Sequence, residues 1–110
     1  MKLAIIGSRN LQVNNIDQYI TDDITEIVSG GAKGVDTLAK EYAINKGLLY
    51  TEFLPEYEKY SRNAPLVRNR KIIEYANRVL AFWDEKSKGT KYVIDTCSKM
   101  KKEVTVIIIK

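Results

Sequence analysis

Runs of strand length alternate with stretches of helix length along this chain. The alternation predicts an α/β fold: a doubly wound parallel sheet of about five strands with helices on both faces. Two observations strengthen it. Runs such as Leu3-Ala4-Ile5-Ile6 and Val79-Leu80-Ala81-Phe82-Trp83 are apolar at successive positions, as in strands covered on both faces. Small, basic and aromatic residues then fall after the strand runs, on one edge of the sheet, where open α/β sheets bind ligands. At 110 residues the chain has the size of one domain, residues 1–110. A domain that buries roughly two-thirds of its unfolded surface can fold without disulfides or metal.

The first strand is Leu3 to Ile6, and Gly7 after it suits a tight turn. Residues 11–15 read as loop. Ile16, Tyr19 and Ile20 share one helical face, which predicts a short helix ending near Asp23. Thr25 to Val28 is the second strand and leads into Ser29-Gly30-Gly31-Ala32-Lys33-Gly34-Val35-Asp36. Val35, Leu38, Ala39, Tyr42 and Ala43 then follow the i, i+3, i+4, i+7, i+8 template of an amphipathic helix, with Gly47 as its stop. Leu48 to Leu54 is the third strand, ended by Pro55, and residues 56–63 read as a loop or short turn. Pro65 suits the first turn of a helix running to about Asn77, with a thin apolar stripe (Leu66, Ile73, Ala76) and a face carrying Arg68, Arg70 and Lys71. Val79 to Trp83 is the fourth strand. After a loop over 84–89, Thr90 reads as an N-cap, and Val93, Cys97 and Met100 line the last helix. Val104 to Ile109 is the fifth strand.

Composition narrows the function. With 45% hydrophobic and 29% charged residues the chain is an ordinary soluble globule. Its formal charge of +4 favours anionic ligands but is too small to mark a nucleic-acid binder by itself. Cys97 is the only cysteine, which leaves no disulfide framework or thiolate cluster and fits a reducing cytosol, so a cytoplasmic location is expected. Without histidine there are no histidine triads, metal sites or proton shuttles, and no metal site is expected. Met1-Lys2-Leu3 runs straight into a strand pattern, which argues against a signal peptide. The apolar runs fall far short of the ~20 residues of a membrane span, so no membrane partner is expected.

The chemistry collects after the strands. Gly30, Gly31 and Gly34, beside Lys33 at a helix start, leave bare backbone N–H groups that can cradle an anion, most often a phosphate. The competing reading is a tight strand-to-helix turn with no ligand. The motif is neither a dinucleotide fingerprint nor a P-loop, because Lys33 is followed by Gly34 and not by Ser or Thr. Asp36 either answers the helix dipole or accepts a hydrogen bond from a ribose hydroxyl. Ser8 and Arg9, after Gly7, offer a hydroxyl and a forked cation to a phosphate, or form a turn with one solvated arginine. Around the last helix start a cap needs only Thr90; the accompanying Ser87, Lys88 and Gly89 suggest a second phosphate or sugar contact. Arg68 and Asn69 lie on the third helix, where a solvated basic face is the usual explanation of arginines. Trp83, next to Asp84, is a core residue or a platform for a base. Tyr57 and Tyr60 stack on a base or cover the sheet edge. Cys97 reads as a small core residue.

Taken in order, Gly7-Ser8-Arg9, Ser29 to Asp36, Arg68-Asn69, and Ala81-Phe82-Trp83-Asp84 with Ser87-Lys88-Gly89-Thr90 resemble the SLOG superfamily. The likeness is to its small stand-alone members of the YspA type, predicted nucleotide-binding proteins. It covers nearly the whole chain. The superfamily also includes the DNA-processing protein DprA and the lonely-guy phosphoribohydrolases. The resemblance implies a Rossmann-like fold with strand order 3-2-1-4-5, a pocket for a nucleotide-derived ligand at these loops, and pairing of subunits into a homodimer. The chain also departs from the pattern. Lonely-guy enzymes carry Pro-Gly-Gly-x-Gly-Thr-x-x-Glu after the fourth strand, with a catalytic glutamate. Here Gly89-Thr90 matches the Gly-Thr and Arg68 matches the arginine of the preceding helix, while Val93 stands at the glutamate's position. The binding half is retained and the acid half is missing.

The expected function is therefore binding of a nucleotide or nucleotide-derived ligand, as sensor or carrier. The candidate contacts are Gly7, Ser8, Arg9, Ser29, Gly30, Gly31, Ala32, Lys33, Gly34, Asp36, Arg68, Asn69, Trp83, Asp84, Ser87, Gly89 and Thr90, with no cofactor required. One alternative is a nucleotide-processing hydrolase, of the phosphoribohydrolase or NAD-cleaving type, with Asp36, Glu56 or Asp84 as acid or base. The other is a DprA-like single-stranded nucleic-acid binder, ranked last because 18 basic against 14 acidic residues leave no strong basic stripe.

Overall fold

The structure is a computed structural model that describes residues 1–8, 11–31 and 34–109. In chain order its elements are β1 (Lys2–Gly7), a single 3-10 turn (Ile16–Tyr19), β2 (Glu26–Ser29), α1 (Val35–Lys46) and β3 (Leu49–Glu52). There follow the one-turn α2 (Tyr57–Tyr60), a second 3-10 turn (Ser61–Asn63), α3 (Ala64–Tyr75), β4 (Arg78–Trp83), α4 (Lys88–Lys99) and β5 (Glu103–Ile108). The five strands form one all-parallel sheet in the order β3-β2-β1-β4-β5, the Rossmann-like α/β arrangement expected.

Alternation along each strand sorts the core onto two faces. Leu3, Ile5, Ile27, Leu80 and Phe82 face one side and pack against Val35, Ala39 and Ala43 of α1, with Val13 and Ile16 from the connection after β1. Ala4, Ile6, Val28 and Val79 face the other and meet Ile72 and Ile73 of α3 and Val93 and Cys97 of α4. The chain thus leaves β1 toward the α1 face and β4 toward the α4 face. Because β1 and β4 are neighbours, that divergence opens a crevice at their C-terminal ends. Among the described residues no helix is long and apolar enough to cross a membrane.

Four boundaries differ from expectation by more than one residue. The helix expected before Asp23 is one 3-10 turn, with Ile20 already extended at φ −114° and ψ 123°. A single apolar turn does not repay helix nucleation when polar Thr21, Asp22 and Asp23 follow it. β3 has four residues because it lies on the sheet edge and pairs only with β2, which ends at Ser29. α3 stops at Tyr75, with Ala76 extended. The N-cap of α4 is Ser87 and not Thr90: Ser87 Oγ accepts from the Thr90 N–H at 3.3 Å, which makes Thr90 the third helical residue. Gly47 stops α1 as expected, in the left-handed region at φ 68°.

Candidate functional site

The site begins where β1 meets α1. A Cβ on Gly7 would lie 2.5 Å from Val35 Cβ and Cγ2. Glycine there lets the first turn of α1 press against the end of β1. Asp36, one residue on and 6% exposed, is carried to the edge of the crevice by that contact.

Ser8 ties β1 to the loop after β4. It is buried, its N–H donates to Phe82 O at 3.1 Å, and its Oγ donates to Asp84 Oδ1 at 3.3 Å. The same hydroxyl shares a 3.2 Å hydrogen bond with Thr90 Oγ1. Asp84 folds that loop, because its Oδ1 accepts from the N–H groups of Ser87 at 2.7 Å and Lys86 at 2.8 Å. Those two bonds hold the Asp84 carboxyl below its ordinary range, so it is ionised near neutrality. Trp83 lies at the end of β4 and outside the cleft lining. Half-buried, it donates from Nε1 to Ser87 O at 3.0 Å and fastens the loop from behind.

Arg68 departs from the solvated basic face expected of it. Its Nη1 donates to Gly30 O at 2.9 Å and its Nε to Asn69 Oδ1 at 2.8 Å, so it crosses from α3 to the glycine turn. Beneath that turn the fully buried Ser29 shares a 2.5 Å hydrogen bond with Tyr50 Oη, which donates to Glu52 Oε1 at 3.0 Å. Burial and the neighbouring Glu52 carboxylate push the Tyr50 hydroxyl up to about 12, so it stays a donor.

These elements enclose a cleft of about 380 Å³ at the C-terminal ends of β1, β2 and β4, within the ~300–1,000 Å³ range of small-molecule sites. Ile6 and Gly7 come from β1, and Gly30 and Asp36 from the glycine turn and α1. Pro65, Leu66, Arg68 and Asn69 come from α3, and Asp84, Ser87, Gly89 and Thr90 from the loop and first turn of α4. Nine of the candidate residues therefore meet here: Gly7, Gly30, Asp36, Arg68, Asn69, Asp84, Ser87, Gly89 and Thr90. Ser8, Ser29 and Trp83 brace the walls without lining them, and Gly31 and Gly34 stand outside the lining. Arg9, Ala32 and Lys33 lie outside the described residues. Tyr57 is exposed and Tyr60 lines a second hollow, so neither tyrosine enters this cleft.

Ile6, Pro65 and Leu66 are lining residues that the sequence reading passed over. Asn69 holds the signal for α3. It falls three and four positions before the buried Ile72 and Ile73, where the stripe would otherwise be apolar. A polar residue at a core position marks where the helix leaves the core and faces the crevice.

The second hollow, of about 250 Å³, shares Arg68 with the first. There Glu56 is paired with Lys71 at 2.9 Å, which draws the Glu56 carboxyl down and the Lys71 ammonium up. Of the three acids considered for catalysis, Asp36 and Asp84 line the main cleft and Glu56 does not. Val93 is fully buried in the core, so α4 brings no carboxylate from that position. Cys97 is buried beside it, and burial pushes its thiol up to about 11. Among the described residues no three histidine, cysteine or acidic side chains gather where they could hold a metal ion. No family model, curated protein or solved structure matches the chain.

Proposed function

We propose that the protein binds a nucleotide or nucleotide-derived ligand in the cleft of about 380 Å³, as a sensor or carrier. The observation that carries this reading is the convergence of the α4 N-terminus, the glycine turn and Arg68 on that one cleft. The first turn of α4 is the positive end of a 12-residue helix, with N–H groups suited to a phosphate. Gly89 leaves the approach open: the nearest atom to a Cβ built there is Ser87 Oγ at 4.0 Å. Arg68 adds a forked cation. Asp36 and Asn69 supply the acceptor and amide that ribose hydroxyls need. The likeness to the SLOG superfamily supports the same ligand class and, by analogy, a homodimer. A cytoplasmic setting fits a chain with one buried thiol.

Calorimetric titration with a panel of nucleoside mono- and diphosphates and ADP-ribose tests the reading. At least one member should bind, and Arg68→Ala should weaken it about tenfold or more. No heat and no thermal shift from any member at millimolar concentration would sink the proposal.

A second reading, hydrolysis of an N-glycosidic bond, is favoured by one observation: Asp36 and Asp84 both line the cleft. Asp84, ionised and held by two N–H groups, suits a general base better than a general acid. Incubation with nucleoside monophosphates and NAD, followed by chromatography for free base, separates the two. Release of base that is lost in both Asp36→Asn and Asp84→Asn would favour the enzyme.

A further inference from the structure

The second hollow shares Arg68 with the first but has a different wall. The first gathers N–H groups, the Arg68 guanidinium and the side chains of Asp36 and Asp84. The second contains two glutamates, and they are not equivalent. Glu56 is neutralised by Lys71 at 2.9 Å. Glu52 receives the Tyr50 hydroxyl on Oε1, and its Oε2 has no hydrogen-bond or ion-pair partner among the described residues. Arg68 and Lys71 line it too, but Lys71 is held by Glu56, and the far oxygen of Glu52 is an acceptor that a ring bearing N–H donors would satisfy. The rest of the wall suits a ring: Phe53, Val67 and Tyr60 offer apolar and aromatic surface.

The two hollows adjoin. Arg68 lines both. The Glu52 carboxyl lies directly under the glycine turn, for a Cβ on Gly31 would come 2.8 Å from Glu52 Cδ. Gly30, the next residue back, lines the first cleft. One ligand lying across the turn can therefore reach from the α4 N-terminus to Glu52.

We propose that the second hollow seats the base of the nucleotide, and that Glu52 selects it by its N–H donors: guanine first, adenine and cytosine next, uracil last. The inference rests on the nucleotide reading above. A carboxylate is an acceptor only. Guanine offers it adjacent N1–H and N2–H₂ groups, which match two carboxylate oxygens side by side. Adenine and cytosine offer one amino group, and uracil offers one N3–H flanked by two carbonyl oxygens that repel a carboxylate. Tyr50 acts as a positioning residue: its donated hydrogen bond uses one lone pair of Oε1 and leaves the other, together with Oε2, for the base.

The test is calorimetric titration of the full chain with guanosine, adenosine and uridine 5′-monophosphates and with ribose 5-phosphate, which has no base. Wild type should bind the guanosine nucleotide about tenfold tighter than the uridine one, with ribose 5-phosphate no tighter than the latter. Glu52→Gln keeps an acceptor for Tyr50. It should shrink the guanosine preference to about threefold or less and leave ribose 5-phosphate unchanged. Val67→Trp, which fills the hollow, should bring the guanosine nucleotide down to the ribose 5-phosphate level, with an unchanged circular dichroism spectrum as the folding control. Equal affinity for all three bases, or a preference that survives Glu52→Gln, overturns the base seat while the nucleotide reading stands. Silence from all four ligands overturns the base seat, and silence that extends to the nucleoside diphosphates and ADP-ribose overturns the nucleotide reading as well.

Discussion

The two ends of the sheet use their polar side chains in different ways. At the N-terminal ends of the strands, charges close on one another. Arg78 of β4 forms ion pairs with Asp23 and, at 3.1 Å, with Glu103 of β5. The buried Glu26 of β2 accepts from Tyr75 Oη at 2.6 Å and Thr51 Oγ1 at 2.7 Å, and Lys2 Nζ sits 4.0 Å over the Tyr75 ring. The hollow left there is about 120 Å³. At the C-terminal ends, side chains bond to backbone: Arg68 to Gly30 O, Asp84 to two N–H groups, Ser87 to Thr90 N–H. Loops are thereby held apart, glycines take no volume, and about 380 Å³ stays open. Polar residues alone do not make a site; what matters is whether they satisfy each other or hold the chain open.

The largest test of that contrast is Gly7→Ala. Its Cβ would strike Val35, itself fully buried at the start of α1, with no flexible side-chain end to give way. We expect a loss of about 1–3 kcal/mol in urea denaturation. Nucleotide affinity should fall with it, because Asp36 moves with Val35. A variant as stable as wild type would show that packing does not set the end of β1.

The next test is at the closed end. Burial alone would raise the Glu26 carboxyl, but the hydrogen bonds from Tyr75 and Thr51 and the charge of Lys2 outweigh it, so its folded value lies below the ordinary 4.5. A carboxyl lowered by folding stabilises the protein fully above its unfolded value and loses that contribution as pH falls through the folded one. Glu26→Gln should therefore cost about 1–2 kcal/mol at pH 7. Its gap to wild type in urea midpoint should close as pH drops from about 4.5 toward 3. Nucleotide binding should be untouched. A gap independent of pH would mean that the side chain's shape, and not its charge, is what that end uses.

How much of this could be read in the sequence follows from how local each feature is. The strands and α1 were legible because successive apolar residues, the Val35-to-Ala43 spacing and Gly47 are neighbours in the chain. The α4 cap was misplaced because Ser87 and Thr90 both suit capping, and only the backbone geometry at Ser87 decides between them. Arg68 looked solvated because its partner, Gly30, is 38 residues away. The Ser29–Tyr50–Glu52 network was invisible for the same reason: it exists only because β3 pairs with β2 in the register Ser29↔Glu52. Nine candidate residues could be gathered onto one cleft because the rule that ligands meet strand C-termini groups distant loops without their contacts being known.

The smallest expected effect separates the two arginines. The Arg78 side chain is 24% exposed, and its partners Asp23 and Glu103 are 48% and 67% exposed. Pairs so open to solvent contribute about 1 kcal/mol or less, and salt screens them. Arg78→Ala should thus lower stability slightly, less so in 1 M salt, and leave nucleotide affinity at the wild-type value. Arg68→Ala should be the mirror case: its guanidinium lines the cleft, and the main effect should be the affinity loss of about tenfold. Equal losses of affinity in both variants would break the comparison, because a charge at the closed end would then reach the cleft through long-range field alone. That outcome has its own signature: a field effect from Arg78 would vanish in 1 M salt, where the Debye length is about 3 Å, and a contact made by Arg68 would largely survive it.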